Sequence, residues 1–226
     1  ITIISISFIL LSNFNSDVFG LFASQQVITK EIPRDFTQEI EVGDEYTIIM
    51  DVGDVDVQFV ENLTNELLIT HKYNLDDGFT YSVDFEKNVI YVNTDQATVS
   101  EGFLYTYEGS IQISLPEELI VKGIFVNVQE GDISILGYDS EIINVSNTVG
   151  DIHFYDITVE ESEIKSSNGN ITLISGFYGK LLVSSTESYI TINDINNMLN
   201  DGSSFRLSTV KGTVQLNNIY FKSINV

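Results

Sequence analysis

The 226-residue chain has no cysteine, no tryptophan, two prolines and two histidines. Without cysteine there is no disulfide, thiolate metal site, iron–sulfur cluster or cysteine nucleophile, although this lack fixes no compartment. Basic residues are scarce too: ten against 33 acidic ones, a formal net charge of -23. So negative a surface repels nucleic acid and anionic lipid headgroups, whose binding rests on lysine and arginine. Helix signals are nearly missing, since Ile, Val, Thr, Tyr and Phe dominate and Gly, Asn, Asp and Ser punctuate at short intervals. The content is nevertheless apolar, 43% hydrophobic and 11% aromatic. That is too rich for a disordered acidic tail and enough for one or two domains with a sizeable core.

An internal repeat organises the chain. Gly131-Asp132-Ile133-Ser134-Ile135 recurs as Gly150-Asp151-Ile152-His153-Phe154, Gly169-Asn170-Ile171-Thr172-Leu173 and Ser188-Tyr189-Ile190-Thr191-Ile192, with anchors 19 apart. It returns at Gly212 after 24 residues, the surplus falling between Asn196 and Ser204, and occurs upstream at Gly109 and, more faintly, at Gly53-Asp54-Val55-Asp56-Val57. The second and fourth residues after each anchor are apolar and the residue between them is polar (Gln112, Ser134, His153, Thr172, Thr191, Gln215). This is the period-two alternation of strands with one buried face. Equal columns at a constant period stack coil on coil, about 4.8 Å apart, and build aliphatic ladders inside. A β-sandwich or propeller has no reason to keep such columns.

The expected architecture is therefore all-β: a β-solenoid, single-stranded and β-helix-like, of about 19-residue coils preceded by antiparallel hairpins. The chain divides into a hydrophobic segment at 1–24, a β-hairpin portion at 25–108 with turns at Asp76-Asp77-Gly78 and Glu86-Lys87-Asn88, and the repeats at 109–226. Ile1 to Leu11 is uncharged and too short to span a bilayer. Three readings stay open for it: the remnant of a secretion signal or membrane anchor, a strand that packs or is donated to another subunit, and the start of a cytosolic protein. At Ser223 to Val226 the alternation is still running. The pattern predicts an open edge there, covered by further chain or by another subunit, and head-to-tail pairing of copies would give filaments.

Chemistry is sparsely signalled. Asp132, Asp151 and Asn170 share the column after the anchor, and Asp54 is a candidate fourth member. Stacked carboxylates repel unless solvated or sharing a cation, and Ca2+ takes such oxygens. These three are the candidate metal ligands; the competing reading is that Gly-Asp and Gly-Asn simply make turns. Asp132 with Asp151 could also form the carboxylate pair of a glycosidase, a geometry that abundant acidic residues produce by chance. His71 and His153 stand alone, and no nucleophile elbow, zinc-protease, phosphate-loop or dinucleotide motif occurs. Tyr105, Tyr107, Tyr138, Tyr155 and Tyr189 could stack on sugars or pack in the core and at its rim. Asn62, Asn144 and Asn170 begin N-glycosylation sequons.

The phrases GDISI at 131, GDIHF at 150 and SSNGNITL at 166, with the aliphatic columns around them, resemble the family named putative adhesin, β-solenoid domains of bacterial and archaeal cell-envelope proteins. The resemblance spans roughly 45–226. It implies an extracellular or cell-surface location and brings no catalytic residues. Ser188, where glycine is usual, predicts a differently shaped turn. The expected function is a non-enzymatic, structural or adhesin-like surface protein. Its partners are itself or other envelope proteins and glycans, not nucleic acid, with a membrane reached only through an N-terminal anchor. The alternative is a Ca2+-dependent carbohydrate-binding or polysaccharide-degrading solenoid.

Overall fold

Alternating Ile and Val with small polar residues leaves one face of every segment to be buried, and strands that lie side by side in register satisfy this. The computed structural model describes residues 30–31, 35–39, 45–62, 66–72, 79–84, 87–94, 110–116, 118–197 and 202–226. The segment 1–24, the turn at Asp76-Asp77-Gly78, and Tyr105, Tyr107 and Gly109 lie outside them. The described residues form β1 (Lys30–Glu31), β2 (Asp35–Glu39), β3 (Glu45–Asp54), β4 (Asp56–Asn62), β5 (Glu66–Lys72), β6 (Phe79–Asp84), β7 (Val89–Thr94) and β8 (Ser110–Pro116). They continue as β9 (Ile120–Glu130), β10 (Ile133–Leu136), β11 (Asp139–Val149), β12 (Ile152–Asn168), β13 (Ile171–Asn197), β14 (Ser204–Tyr220) and β15 (Ser223–Asn225).

The strands wind into a β-solenoid whose coils pair in parallel. One internal ladder runs Val92, Met50, Val126, Val145, Ile164, Val183, Leu207, each residue opposite the next on the adjoining strand. A second runs Ile111, Val57, Ile133, Ile152, Ile171. The bond from Gly169 N to Glu187 O repeats, at the same offset, those from Gly131 N to Val149 O and Gly150 N to Asn168 O, so the next turn lays Ile190 on this ladder. Ile190 in turn faces Val214. Both ladders are buried apart from Val214, which packs partly exposed against the core. Removing this much aliphatic surface from water drives the coils together, at about 25 cal/mol per Å2.

Two features differ from the sequence reading. The weak repeat at residues 53–57 is displaced by two: Val57, not Val55, lies opposite Ile133, and Val55 takes the anchor place. A slip of two residues leaves the alternation unchanged, so the sequence pattern cannot detect it. In addition, the coils do not stack in simple chain order. β4 lies between β8 and β10, and β3 between β7 and β9, all in parallel. The antiparallel part is confined to one end of the stack, where β7 pairs β6, β6 pairs β1, β8 pairs β5 and β5 pairs β2. The hairpin of β6 and β7 turns through Asn88, which adopts a φ of 53°. From β9 onward the stack follows the chain. Between β13 and β14 the offset is 24, and β15 restores 19 by placing Ser223 opposite Ser204.

Candidate binding face

The corner that begins each repeat fixes what the outward face displays. Gly131, Gly150, Gly169 and Gly212 hold φ values of 147°, 124°, 143° and 149°, a region open to glycine almost alone. They also sit directly against the backbone of the neighbouring coil, so that a Cβ would collide with the carbonyl groups of Val55, Gly131, Gly150 and Ser188 respectively. Ser188 does not adopt a positive φ; its hydroxyl is buried without a hydrogen-bond partner. The opposite corner repeats Gly137, Asp156, Ser175, Asp194 and Asn218, all at positive φ. Asp, Asn and Gly tolerate this conformation, and their spacing of 19 and then 24 is a signal the repeat reading missed.

Asp132, Asp151 and Asn170 come together in one column on successive coils, as the registers of β10, β12 and β13 require. Asp56, rather than Asp54, is the member below Asp132. Each side chain is used in the same way. Asp56 Oδ1 accepts the Asp132 N–H at 2.8 Å, Asp132 Oδ1 accepts that of Asp151 at 2.7 Å, and Asp151 Oδ1 accepts that of Asn170 at 2.7 Å. Asn170 Nδ2 also donates to Asp151 Oδ2 at 3.0 Å, so the atom that a glycan would modify is engaged. Charge-assisted bonds from backbone N–H are among the stronger ones and stitch this corner coil to coil. The same oxygens would serve a cation; among the described residues no group of three histidine, aspartate or glutamate side chains is placed to hold one.

Outside the second ladder, the columns beside the aspartates read Gln112, Gln58, Ser134, His153, Thr172 and then Leu136, Tyr155, Ile174. Tyr155, Tyr189 and His153 are exposed, whereas Tyr138 is buried and its hydroxyl donates to the Val60 carbonyl. A shallow depression of ≈ 280 Å3 opens at the lower end of this face, lined by Asp56, Asp132, Gln58, Gln112, Ser110 and Ser134 among others. On the other faces lysines bridge neighbouring coils, Lys122 to Glu45 at 3.2 Å, Lys180 to Glu161 and Lys211 to Glu187. These pairs are exposed and individually weak. Burial pushes the hydroxyl pKa of Tyr178 and Tyr138 well above the ordinary tyrosine range. Tyr91 is pushed up to about 12 by burial and then by the charge of Asp84.

The fold recurs in the crystal structure of a "putative cell adhesion protein" from Clostridium sporogenes, at 13% identity and a TM-score of 0.50, with 86% of this chain and 98% of that one covered. A "putative lipid binding protein" from Parabacteroides distasonis is more distant, at 11% identity and a TM-score of 0.28, with 85% and 97% covered. No curated protein matches the chain. The family model described as Toastrack DUF4097 matches residues 46–219, more than half of the sequence, and the chain belongs to that family.

Proposed function

We propose that the chain is a non-catalytic, adhesin-like module displayed outside the cell or on its surface, where it presents a rigid face to envelope proteins or glycans. The observation that carries this reading is the outward face of the second ladder. Its Gln, Ser, His and Thr column, flanked by the aspartates and by exposed Tyr155, is held in register by backbone pairing across successive coils. Such a surface pre-organises many weak contacts at little entropic cost, which suits an extended polymer or another protein better than a small molecule. The adhesion label of the Clostridium sporogenes structure supports the same reading. The test is antibody labelling of intact and permeabilised native cells, together with sedimentation of the purified chain with isolated envelopes. Labelling of intact cells and co-sedimentation are expected; labelling only after permeabilisation, with no co-sedimentation, would overturn the proposal.

A further inference from the structure

The outward side of the second ladder carries charge of one sign. Segments 131–138, 150–157, 169–176 and 188–195 contain Asp132, Asp151, Asp156 and Asp194 and, besides His153, no basic side chain. The lysines of the stack stand on its other faces, where Lys122, Lys165, Lys180 and Lys211 each pair with a glutamate. On the lysine-free side an apolar strip is exposed. Leu136 and Tyr155 lie opposite each other on adjoining coils, Ile174 follows Tyr155 on the next, and Phe177 stands just past the corner from Ile174. Leu136 is 36%, Tyr155 53% and Phe177 50% exposed, and Ile174 is half-buried. Their strands, β10, β12 and β13, have coils stacked on both sides. Large apolar side chains gathered on the surface in this way mark a contact surface, and aromatic ones are enriched at such places.

The corner between Ile174 and Phe177 decides what suits the strip. There Gly137, Asp156, Ser175 and Asp194 succeed one another at positive φ, and the Glu61 carboxylate lies beside Gly137. Asp156 Oδ1 is 3.4 Å from Ser175 Oγ, and Asp194 Oδ1 accepts a bond from Asn218 Nδ2 at 2.7 Å, so both carboxylates meet neutral groups in these contacts. We propose that the strip is a docking surface for a basic polypeptide segment of another protein. Its aliphatic side chains pack on Leu136, Tyr155, Ile174 and Phe177, while its lysines or arginines reach Glu61, Asp156 and Asp194. A cation is also attracted to the face of an exposed aromatic ring, and the carboxylates steer it there. Other occupants fit less well. A second copy would bring net charge -23 of its own, and anionic headgroups or acidic polymers are repelled in the same way. A neutral glycan could stack on Tyr155 and Phe177, but it gains little from aliphatic Leu136 and Ile174 and nothing from the carboxylate charge. The proposal rests on the reading of the chain as a module that presents a rigid face, and it names the partner chemistry of that face. It is measured on the pure protein, so it fails or stands apart from the envelope location.

The test is binding of fluorescent synthetic ligands to the pure chain, followed by anisotropy. The first is a peptide that repeats lysine, leucine and threonine. In a second peptide serine replaces leucine, in a third glutamate replaces lysine, and a neutral glucan oligosaccharide is the fourth ligand. The lysine-leucine peptide should bind at least about tenfold more tightly than each of the others. It should also bind more tightly at about 0.15 M salt than at about 1 M, where the screening length falls from about 8 Å to about 3 Å. Tyr155→Ser with Phe177→Ser should weaken it by about tenfold. Asp156→Asn with Asp194→Asn should do the same, and it keeps side chains that tolerate positive φ and an acceptor for Asn218. Glu118→Gln with Glu141→Gln removes equal charge outside this face and should leave the affinity within about twofold. Equal binding of the leucine-free peptide, tighter binding of the glucan, no binding of any ligand, or strip variants that bind as the parent does would each overturn the proposal. The comparison of ligands uses the unaltered chain, so a variant that fails to fold does not remove the test.

Discussion

The corner glycines give the most direct test of coil stacking. Gly169 has a φ of 143°, and a Cβ built on it lies 2.6 Å from the carbonyl carbon of Gly150 and closer still to its oxygen. Ordinary contact between such atoms is well over 3 Å, and strands pair at about 4.8 Å with no slack to widen. Gly169→Ala must therefore either hold alanine in a disallowed conformation, at about 1–3 kcal/mol, or pry apart two coils. Prying them apart weakens the bonds Gly150 N to Asn168 O at 3.0 Å and Ile152 N to Asn170 O at 2.8 Å, each worth about 1 kcal/mol net. By either route the expected loss is about 2–3 kcal/mol, a sizeable part of the total stability of a domain. Gly202→Ala is the control, because nothing lies within 4 Å of its Cβ and its φ is not positive. It should change stability by no more than about 1 kcal/mol, in either direction. Urea unfolding followed by circular dichroism measures both. If the two variants lose similar stability, the close approach of the corners is not what the sequence pays glycine for.

The aspartate column should tolerate loss of charge better than loss of oxygen. Asp151→Asn keeps an acceptor for the Asn170 N–H and should fall within about 0.5 kcal/mol of the parent, while Asp151→Ala strands both Asn170 donors and should lose about 1–2 kcal/mol. Because backbone N–H groups already occupy one oxygen of Asp132 and of Asp151, millimolar Ca2+ should move thermal unfolding no further than Mg2+ does. A rise specific to Ca2+, abolished in Asp132→Asn, would instead assign Asp132, Asp151 and Asn170 as its ligands. Stability should also fall at alkaline pH. The folded pKa values of Tyr178, Tyr138 and Tyr91 are raised, so below about pH 10 the phenols are neutral in both states and their contribution is complete. Above it the unfolded chain releases protons that the fold retains, and stability drops by up to about 1.4 kcal/mol per pH unit for each tyrosine, less for half-exposed Tyr91, where solvent screens the effect. Tyr178→Phe should flatten this slope with little effect at neutral pH, since the Tyr178 hydroxyl has no hydrogen-bond partner; an unchanged slope would refute the assignment.

The sequence by itself determined the coil. Alternation of Ile and Val with polar residues at a constant period suffices to place Ile133, Ile152 and Ile171 opposite one another, because side-chain direction in a strand depends only on parity and spacing. The glycines at 131, 150 and 169 were legible for the same reason, as was the column of Asp132, Asp151 and Asn170. Tertiary structure decided the order of coils. Val57 and Val55 are equivalent to a period of two, so only the packing of β4 between β8 and β10 shows that Asp56 belongs to the acidic column. It also supplied the hydrogen bonds from each aspartate to the next coil's N–H, which spacing along the chain does not specify.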